Sequence, residues 1–164
     1  MDNLKKAYFA AGCFWGVEYH FAKTHGVKRV ISGYMGGGMP HPGYRDICTG
    51  TTGHLETVEV HYDPSIVEFD ELAMLFFEIH DFTQINGQGP DIGSQYLSAV
   101  FYNDKEEKEM MKDIIKELTQ KGYSVATSLI STLNTPFFRA EDYHQNYYLT
   151  TSKTPYCHTY KKIF

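Results

Sequence analysis

The sequence predicts an α+β fold: a mixed sheet covered by helices in one domain spanning 1–164. Three observations carry this. Segments of strand character alternate with segments of helical periodicity, βαβ and then βαβ again. Each helical segment gathers its apolar residues on one stripe, leaving one face to bury. A length of 164 residues suffices for one hydrophobic core and is short for two.

Lys6 to Ala11 reads as a short buried strand, and Gly12 breaks it. Phe14, Val17, Phe21 and Ala22 then recur at helical spacing up to a stop at Gly26. "VKRVISGY" (27–34) is a second strand, followed by a long Gly- and Pro-rich loop. "HLETVEVHY" (54–62) alternates cleanly, as a half-buried strand does. Phe69 to His80 places Leu72, Leu75, Phe76 and Ile79 on one helical face. After an irregular stretch from Asp81 to Ser94, "QYLSAVFY" is a further strand. Asn103 then caps a helix, with Glu106 at the capping-box position, buried stripe Met111, Ile114, Ile115 and Leu118, and Gly122 at its end. "SVATSLIS" is the last strand, a short helix falls near "AEDYHQNYY", and the stretch from about 150 lacks periodicity. Two long loops in so short a chain mark functional segments.

Composition narrows the class. A formal net charge of −5 opposes a nucleic-acid partner. Three cysteines, with no C-x-x-C, describe neither a disulfide scaffold nor a zinc site, and no metal or other cofactor is expected. The apolar run near the start, Ala7 to Ala11, is shorter than a signal core, and no stretch reaches the ~20 residues of a membrane span. A cytoplasmic monomer with no membrane partner is therefore expected. Thirteen Tyr and eleven Phe suit both a core and a site that grips an apolar ligand.

"AAGCFWGVE" (10–18) sets Cys13 at a strand-to-helix turn, where the helix dipole and unpaired N–H groups favour thiolate over thiol. Cys13 is either a nucleophile or a buried core cysteine. In "HLETVEVHY", period two places Glu56 with Val58, Val60 and Tyr62 on the more apolar face. That Glu is either solvated at the strand end or held in an apolar site as a general acid. Two chemistries fit. A cysteine peptidase or amidase would use Cys13 with His144, since "GCFW" is similar to the papain cysteine and its spacing to a downstream His; no glutamine precedes Cys13 to complete an oxyanion hole. Alternatively, the thiolate attacks an oxidised sulfur. That needs an acid, hydroxyl donors for the departing oxygen, an aromatic cage for a methyl group, and a second cysteine to reset the first. Glu56, Tyr44, Tyr96, Phe14, Trp15 and Cys157 can supply these parts. A third reading is a peptide-binding module without turnover.

Motifs along nearly the whole chain carry a resemblance: "GCFWG" at 12–16, "SGYMGG" at 32–37, "YRDICTG" at 44–50, "GHLETVEVHYDP" at 53–64, "FFEIHD" at 76–81, "GSQYLSAVFY" at 93–102 and "AEDYHQNYYL" at 140–149. In this order they are similar to the peptide-methionine (S)-S-oxide reductases, the A-type enzymes that repair methionine sulfoxide. The resemblance implies a two-layer α/β sandwich with a ferredoxin-like core. It implies Cys13 as nucleophile, Glu56 as general acid, Tyr44 and Tyr96 as hydrogen-bond donors to the sulfoxide oxygen, Phe14 and Trp15 around the ε-methyl group, and Asp81 orienting the substrate. It also implies a sulfenic acid on Cys13, release of methionine, a disulfide reduced by thioredoxin, and selectivity for the S epimer.

Departures from the family pattern are Leu97 and Gly87 where arginines are usual, Phe82 in place of proline, and "PHPGY" in place of "NPTY". They are expected at the pocket rim, where they bear on protein-bound against free methionine sulfoxide. Cys48 is expected to be structural, by the usual burial of cysteine. Cys157, in the unpatterned "KTPYCH", is expected to resolve Cys13 from a mobile tail that approaches after product release.

Overall fold

The computed structural model describes residues 3–153, 155 and 158–164. Its main sheet holds β1 (Lys5–Ala11), β2 (Val27–Met35), β3 (Leu55–Tyr62), β6 (Ser98–Tyr102), β7 (Ser128–Ser131) and β8 (Phe138–Arg139), in the order β7-β6-β1-β3-β2-β8. The pairs are antiparallel except β6 with β7, so the sheet is mixed. Helices α1 (Phe14–Ala22) and α3 (Phe69–Glu78) make the connections β1-α1-β2 and β3-α3-β6. The four inner strands thus stand in the order β6-β1-β3-β2, a βαββαβ unit with the ferredoxin-like arrangement.

Strand alternation assigns the two faces. Ala7, Phe9 and Ala11 of β1 and Val58 and Val60 of β3 point into the main core. They meet Phe21 of α1, Phe76 of α3, and Met111, Ile114 and Leu118 of α4 (Lys105–Gln120). Phe9 is central and fully buried, with ring centroids 4.9 Å from Phe21 and 5.4 Å from Phe76. Truncating such a ring to alanine costs about 3–5 kcal/mol. On the other face Ala10, Met35, Leu55, Ala99 and Phe101 form a smaller cluster covered by Tyr8 and Phe137.

Several boundaries differ from the sequence reading. The cap of α4 is Asp104, whose carboxylate accepts from the Glu107 N–H at 2.8 Å. Glu107, and not Glu106, reaches back, to the Asn103 N–H at 2.9 Å. Both Asn103 and Asp104 are good caps, and Met111, Ile114 and Leu118 face the core as the stripe predicts. Residues 94–96 form a 3₁₀ turn before β6. The first long loop contains α2 (Tyr44–Cys48), and the second contains the small hairpin β4 (Gly87–Gln88) and β5 (Asp91–Ile92). A last helix, α5 (Tyr147–Thr151), follows a 3₁₀ turn at Asp142–His144. Among the described residues no helix is long and apolar enough to cross a membrane.

His80, just past α3, ties this helix to β6. Its Nδ1–H donates to the Phe76 carbonyl at 2.6 Å, and its Nε2 accepts from the Ser98 hydroxyl at 2.8 Å. Ser98 in turn accepts from Thr127 at 2.8 Å. Burial pushes the imidazole down to about 3 from its ordinary 6.5. Between those values the unfolded chain takes up a proton that the folded chain refuses, so His80 removes stability as pH falls. His80→Asn should therefore be less stable at pH 7 yet flatter with pH, by up to about 1.4 kcal/mol per unit between pH 6 and 4. Urea unfolding at several pH values checks this; parallel slopes in both proteins would remove His80 as the source.

Candidate active site

The chain leaves β1 at Ala11 and turns at Gly12, whose φ of +94° is left-handed, to place Cys13 as the N-cap of α1. A side chain at Gly12 would also press on Gln88, 2.6 Å from its Cβ. Cys13 is buried, 6 % exposed. The next residue, Phe14, donates its backbone N–H to Glu56 Oε1 at 3.3 Å. Glu56 is 2 % exposed and lies on the helix-covered face of β3, the apolar face that the alternation predicts. The register explains the meeting: Phe9 pairs with Val58, and two residues further on Ala11 comes opposite Glu56.

Two tyrosines face this carboxylate. Burial, then the charge of Glu56, holds the Tyr96 hydroxyl well above its usual range, with Asp91 and Cys13 adding to the effect. Burial and a hydrogen bond to Cys48 do the same for Tyr44, again with Glu56 and Tyr96 contributing. Both hydroxyls thus keep their protons, as hydrogen-bond donors to an oxygen must. Tyr44 is held by its backbone N–H to Glu141 Oε2 at 2.9 Å, and the other oxygen of Glu141 accepts from Tyr34 at 2.9 Å. Burial pushes the Glu141 carboxyl up, but these donors outweigh it and hold it below its usual range.

Phe14 and Trp15 stand in an aromatic wall. The Trp15 Nε1–H donates to His144 Nδ1 at 3.0 Å, and Tyr147 stacks on the indole at 3.7 Å with the planes 4° apart. The His144 ring lies between Phe14 (5.1 Å) and Tyr44 (4.6 Å). Accepting at Nδ1 leaves Nε2 to carry the proton, and that buried atom has no hydrogen-bond partner among the described residues. His144 therefore makes no hydrogen bond to Cys13, and burial lowers its proton affinity. A peptidase base would need both the contact and the basicity.

Cys13, Glu56, Tyr44, Tyr96, Phe14 and Trp15 are thus brought together. Asp81 is exposed, and its carboxylate is taken up by the Thr83 N–H at 3.0 Å and the Thr83 hydroxyl at 2.5 Å. Asp91, whose charge bears on Tyr96, is the acidic neighbour that the sequence reading passes over. Cys157 lies outside the described residues. Cys48 is exposed and not in the core, because α2 ends there with its thiol turned to Tyr44. Phe82 is no rim residue: it is buried, edge-on to Phe77 and Tyr123, each 5.1 Å away. Leu97 packs on the smaller core cluster. At Gly87 a Cβ would collide with the Asp91 carbonyl, so no side chain fits this hairpin. Among the described residues no group of three or more His, Cys, Asp or Glu is placed to hold a metal ion.

Comparison with known proteins decides the family. The sequence model of the family described as "Peptide methionine sulfoxide reductase" matches residues 5–163. The chain belongs to this family. It is 47% identical over 154 residues to the peptide methionine sulfoxide reductase MsrA of Nautilia profundicola, covering 94% of this chain and 88% of that one. Reduced Mxr1 from Saccharomyces cerevisiae superposes with a TM-score of 0.87 at 32% identity, covering 97% of this chain and 93% of the other. Methionine sulfoxide reductase A of Corynebacterium diphtheriae does so at 0.83 and 36%, covering 96% and 79%. Mxr1 has also been solved in complex with Trx2. The chain is a peptide methionine sulfoxide reductase of the MsrA type, and its fold is that of its family.

In this reductase the segment after 157 returns to the site. His158 is buried, its Nε2–H donates to the Ala11 carbonyl at 2.6 Å, and its own carbonyl accepts from His20 Nε2 at 3.2 Å. The ring fills the space that a Cβ on Gly16 would take. Further on, the Lys161 N–H donates to the Glu78 carbonyl at 2.8 Å and the Ile163 N–H to Glu78 Oε2 at 2.9 Å. Gly16→Ala should gain about 0.5–1 kcal/mol from helix propensity if nothing opposed it. The collision predicts the reverse: His158 is expelled and the C-terminal segment is released. Brief trypsin treatment should cut Gly16→Ala at Lys161 and Lys162 well before wild type; equal cleavage would show that the ring is accommodated.

Proposed function

We propose that the enzyme reduces methionine-S-sulfoxide, free or in proteins, by nucleophilic attack of the Cys13 thiolate on the sulfoxide sulfur. The observation that carries this reading is the convergence of Glu56, Tyr44 and Tyr96 at the N-terminus of the helix that bears Cys13. The helix terminus favours the thiolate. Tyr44 and Tyr96 donate to the sulfoxide oxygen, and Glu56 supplies the proton it needs as the S–O bond yields. Phe14 and Trp15 enclose the methyl group and exclude water. Oxygen passes to Cys13 as a sulfenic acid, and methionine leaves.

Cys157 then attacks the sulfenic sulfur, expelling water and forming a disulfide from 13 to 157. Support for its reach comes from its neighbour in sequence, His158, hydrogen-bonded to Ala11 two residues before Cys13. An external dithiol of the thioredoxin class returns both cysteines to thiols and leaves with the oxidising equivalents; capture of Mxr1 with Trx2 supports that partner. Asp81 is the carboxylate proposed to orient the substrate, and the charge of Asp91 bears on Tyr96 beside it. A monomer repairing oxidised methionine in the cytoplasm, where reductant is at hand, fits this cycle.

Cys13→Ser should abolish reduction, a hydroxyl being too weak a nucleophile for the sulfur. Glu56→Gln should slow the first step by about 10²–10⁴-fold with substrate affinity nearly kept, as expected for a lost general acid. Single-turnover kinetics read both, and an unchanged rate in either variant excludes that residue.

Resolution by Cys157 has its own test. With excess methionine sulfoxide and thioredoxin, Cys157→Ser should release about one equivalent of methionine and stall with a trappable sulfenic acid. Cys48→Ser should cycle normally. The opposite pattern would move the resolving role to Cys48.

A further inference from the structure

Glu18 is a carboxylate that neither the chemistry above nor any ion pair uses. It lies one turn along α1 from Trp15, on the same face, and is 2 % exposed. Among the described residues no lysine, arginine or histidine forms a salt bridge with it. A buried carboxylate without a cation costs several kcal/mol unless hydrogen bonds satisfy it. Here the donors are backbone: Glu18 Oε2 accepts from the Asn146 N–H at 3.0 Å, and the carboxylate also accepts from the Tyr147 N–H. Burial still dominates and pushes the carboxyl up to about 7.

The segment it holds matters more than the bond itself. Asn146 sits in the left-handed region at φ +52°, a conformation that asparagine tolerates better than other non-glycine residues. That turn delivers Tyr147 onto the Trp15 indole, parallel at 3.7 Å. Three residues earlier the same segment delivers His144 to the Trp15 Nε1–H. Gln145 ties the segment to β2 through Ser32, with two bonds of 2.9 Å. Glu18 supplies the tie to α1, the helix that carries both Cys13 and Trp15. Glu18, Trp15, Tyr148 and Leu149 also line a cavity of about 230 Å³ between α1 and α5, so the indole has room to move once the tie is lost.

We propose that Glu18 is a positioning residue for the methyl-binding wall: it fastens the Asn146–Tyr147 turn to α1 and thereby fixes Trp15 for the substrate. The proposal rests on the reading of Trp15 as part of the substrate cage. Glu18 does not touch the reacting atoms, so its loss should weaken substrate binding and spare the chemical step.

Trp15 is the sole tryptophan of the chain, so its fluorescence reports on this wall alone. Glu18→Ala and Glu18→Gln, made in the full chain and shown folded by circular dichroism, are compared with wild type on a methionine sulfoxide peptide. Glu18→Ala should raise KM about tenfold, the scale of one lost aromatic contact. The saturating single-turnover rate should stay within about twofold, and acrylamide should quench Trp15 more strongly. Glu18→Gln, which retains one acceptor oxygen, should fall between. A folded Glu18→Ala with unchanged KM and unchanged quenching overturns the proposal, as does a loss confined to the single-turnover rate. If both variants fail to fold, Tyr147→Leu removes the stack without touching a buried charge. It should reproduce the rise in KM, and an unchanged KM there overturns the proposal equally. Should wild type reduce no sulfoxide at all, the functional reading fails, while the quenching comparison still decides whether Glu18 orders Trp15.

Discussion

The hydrogen bond from the Phe14 N–H to Glu56 Oε1 joins the two elements on which the site depends, the start of α1 and the start of β3. It exists because β1 and β3 pair antiparallel in one register. Slipping that register by one residue would turn Glu56 to the opposite face of the sheet and set Thr57 in its place. Register is strongly specified where a face is buried, and here Val58, Val60 and Phe9 are all fully buried behind the site. The core therefore does more than hold the fold together. Packing of residues two and four positions beyond Glu56 determines which carboxylate meets the start of α1, the helix that Cys13 caps.

A second layer of constraint acts through aromatic rings and is anchored by acids. Glu141 holds Tyr44 by its backbone and Tyr34 by its hydroxyl, while Glu18 holds the turn before Tyr147. Between them His144 touches Phe14, Tyr44, Trp15 and Tyr143. The resulting wall is aromatic on one side and hydrogen-bonded behind. Its rigidity comes from carboxylates accepting directional N–H and O–H bonds, which fix ring planes better than dispersion alone.

What was legible in the sequence follows from the range of the interactions involved. The alternation of "HLETVEVHY" placed Glu56 on the apolar face because period two is a local property of the backbone. Cys13 at a helix start was legible for the same reason, from Gly12 and the apolar spacing after it. The five-residue helix α2 and the two-residue strands β4, β5 and β8 are too short to show a period in the sequence. Asp81 and Asp91 flank one irregular stretch, and nothing local distinguishes them; only the β4–β5 hairpin, closed at Gly87, turns Asp91 towards Tyr96. Cys48 is exposed although cysteines are usually buried, because it ends the short helix α2, a position that burial statistics do not see.

The C-terminal segment shows the limit most clearly. "KTPYCH" has no periodicity, yet His158 is among the more tightly fixed residues, by a ring nitrogen on Ala11, a carbonyl on His20 and a seat over Gly16. Each partner is far away in sequence, and the glycine that receives the ring reads locally as an ordinary weak point in a helix. A side chain as small as alanine's would close the seat. Gly16 is therefore best understood from the segment that lands on it: its missing methyl group lets the chain return to the N-terminus of α1.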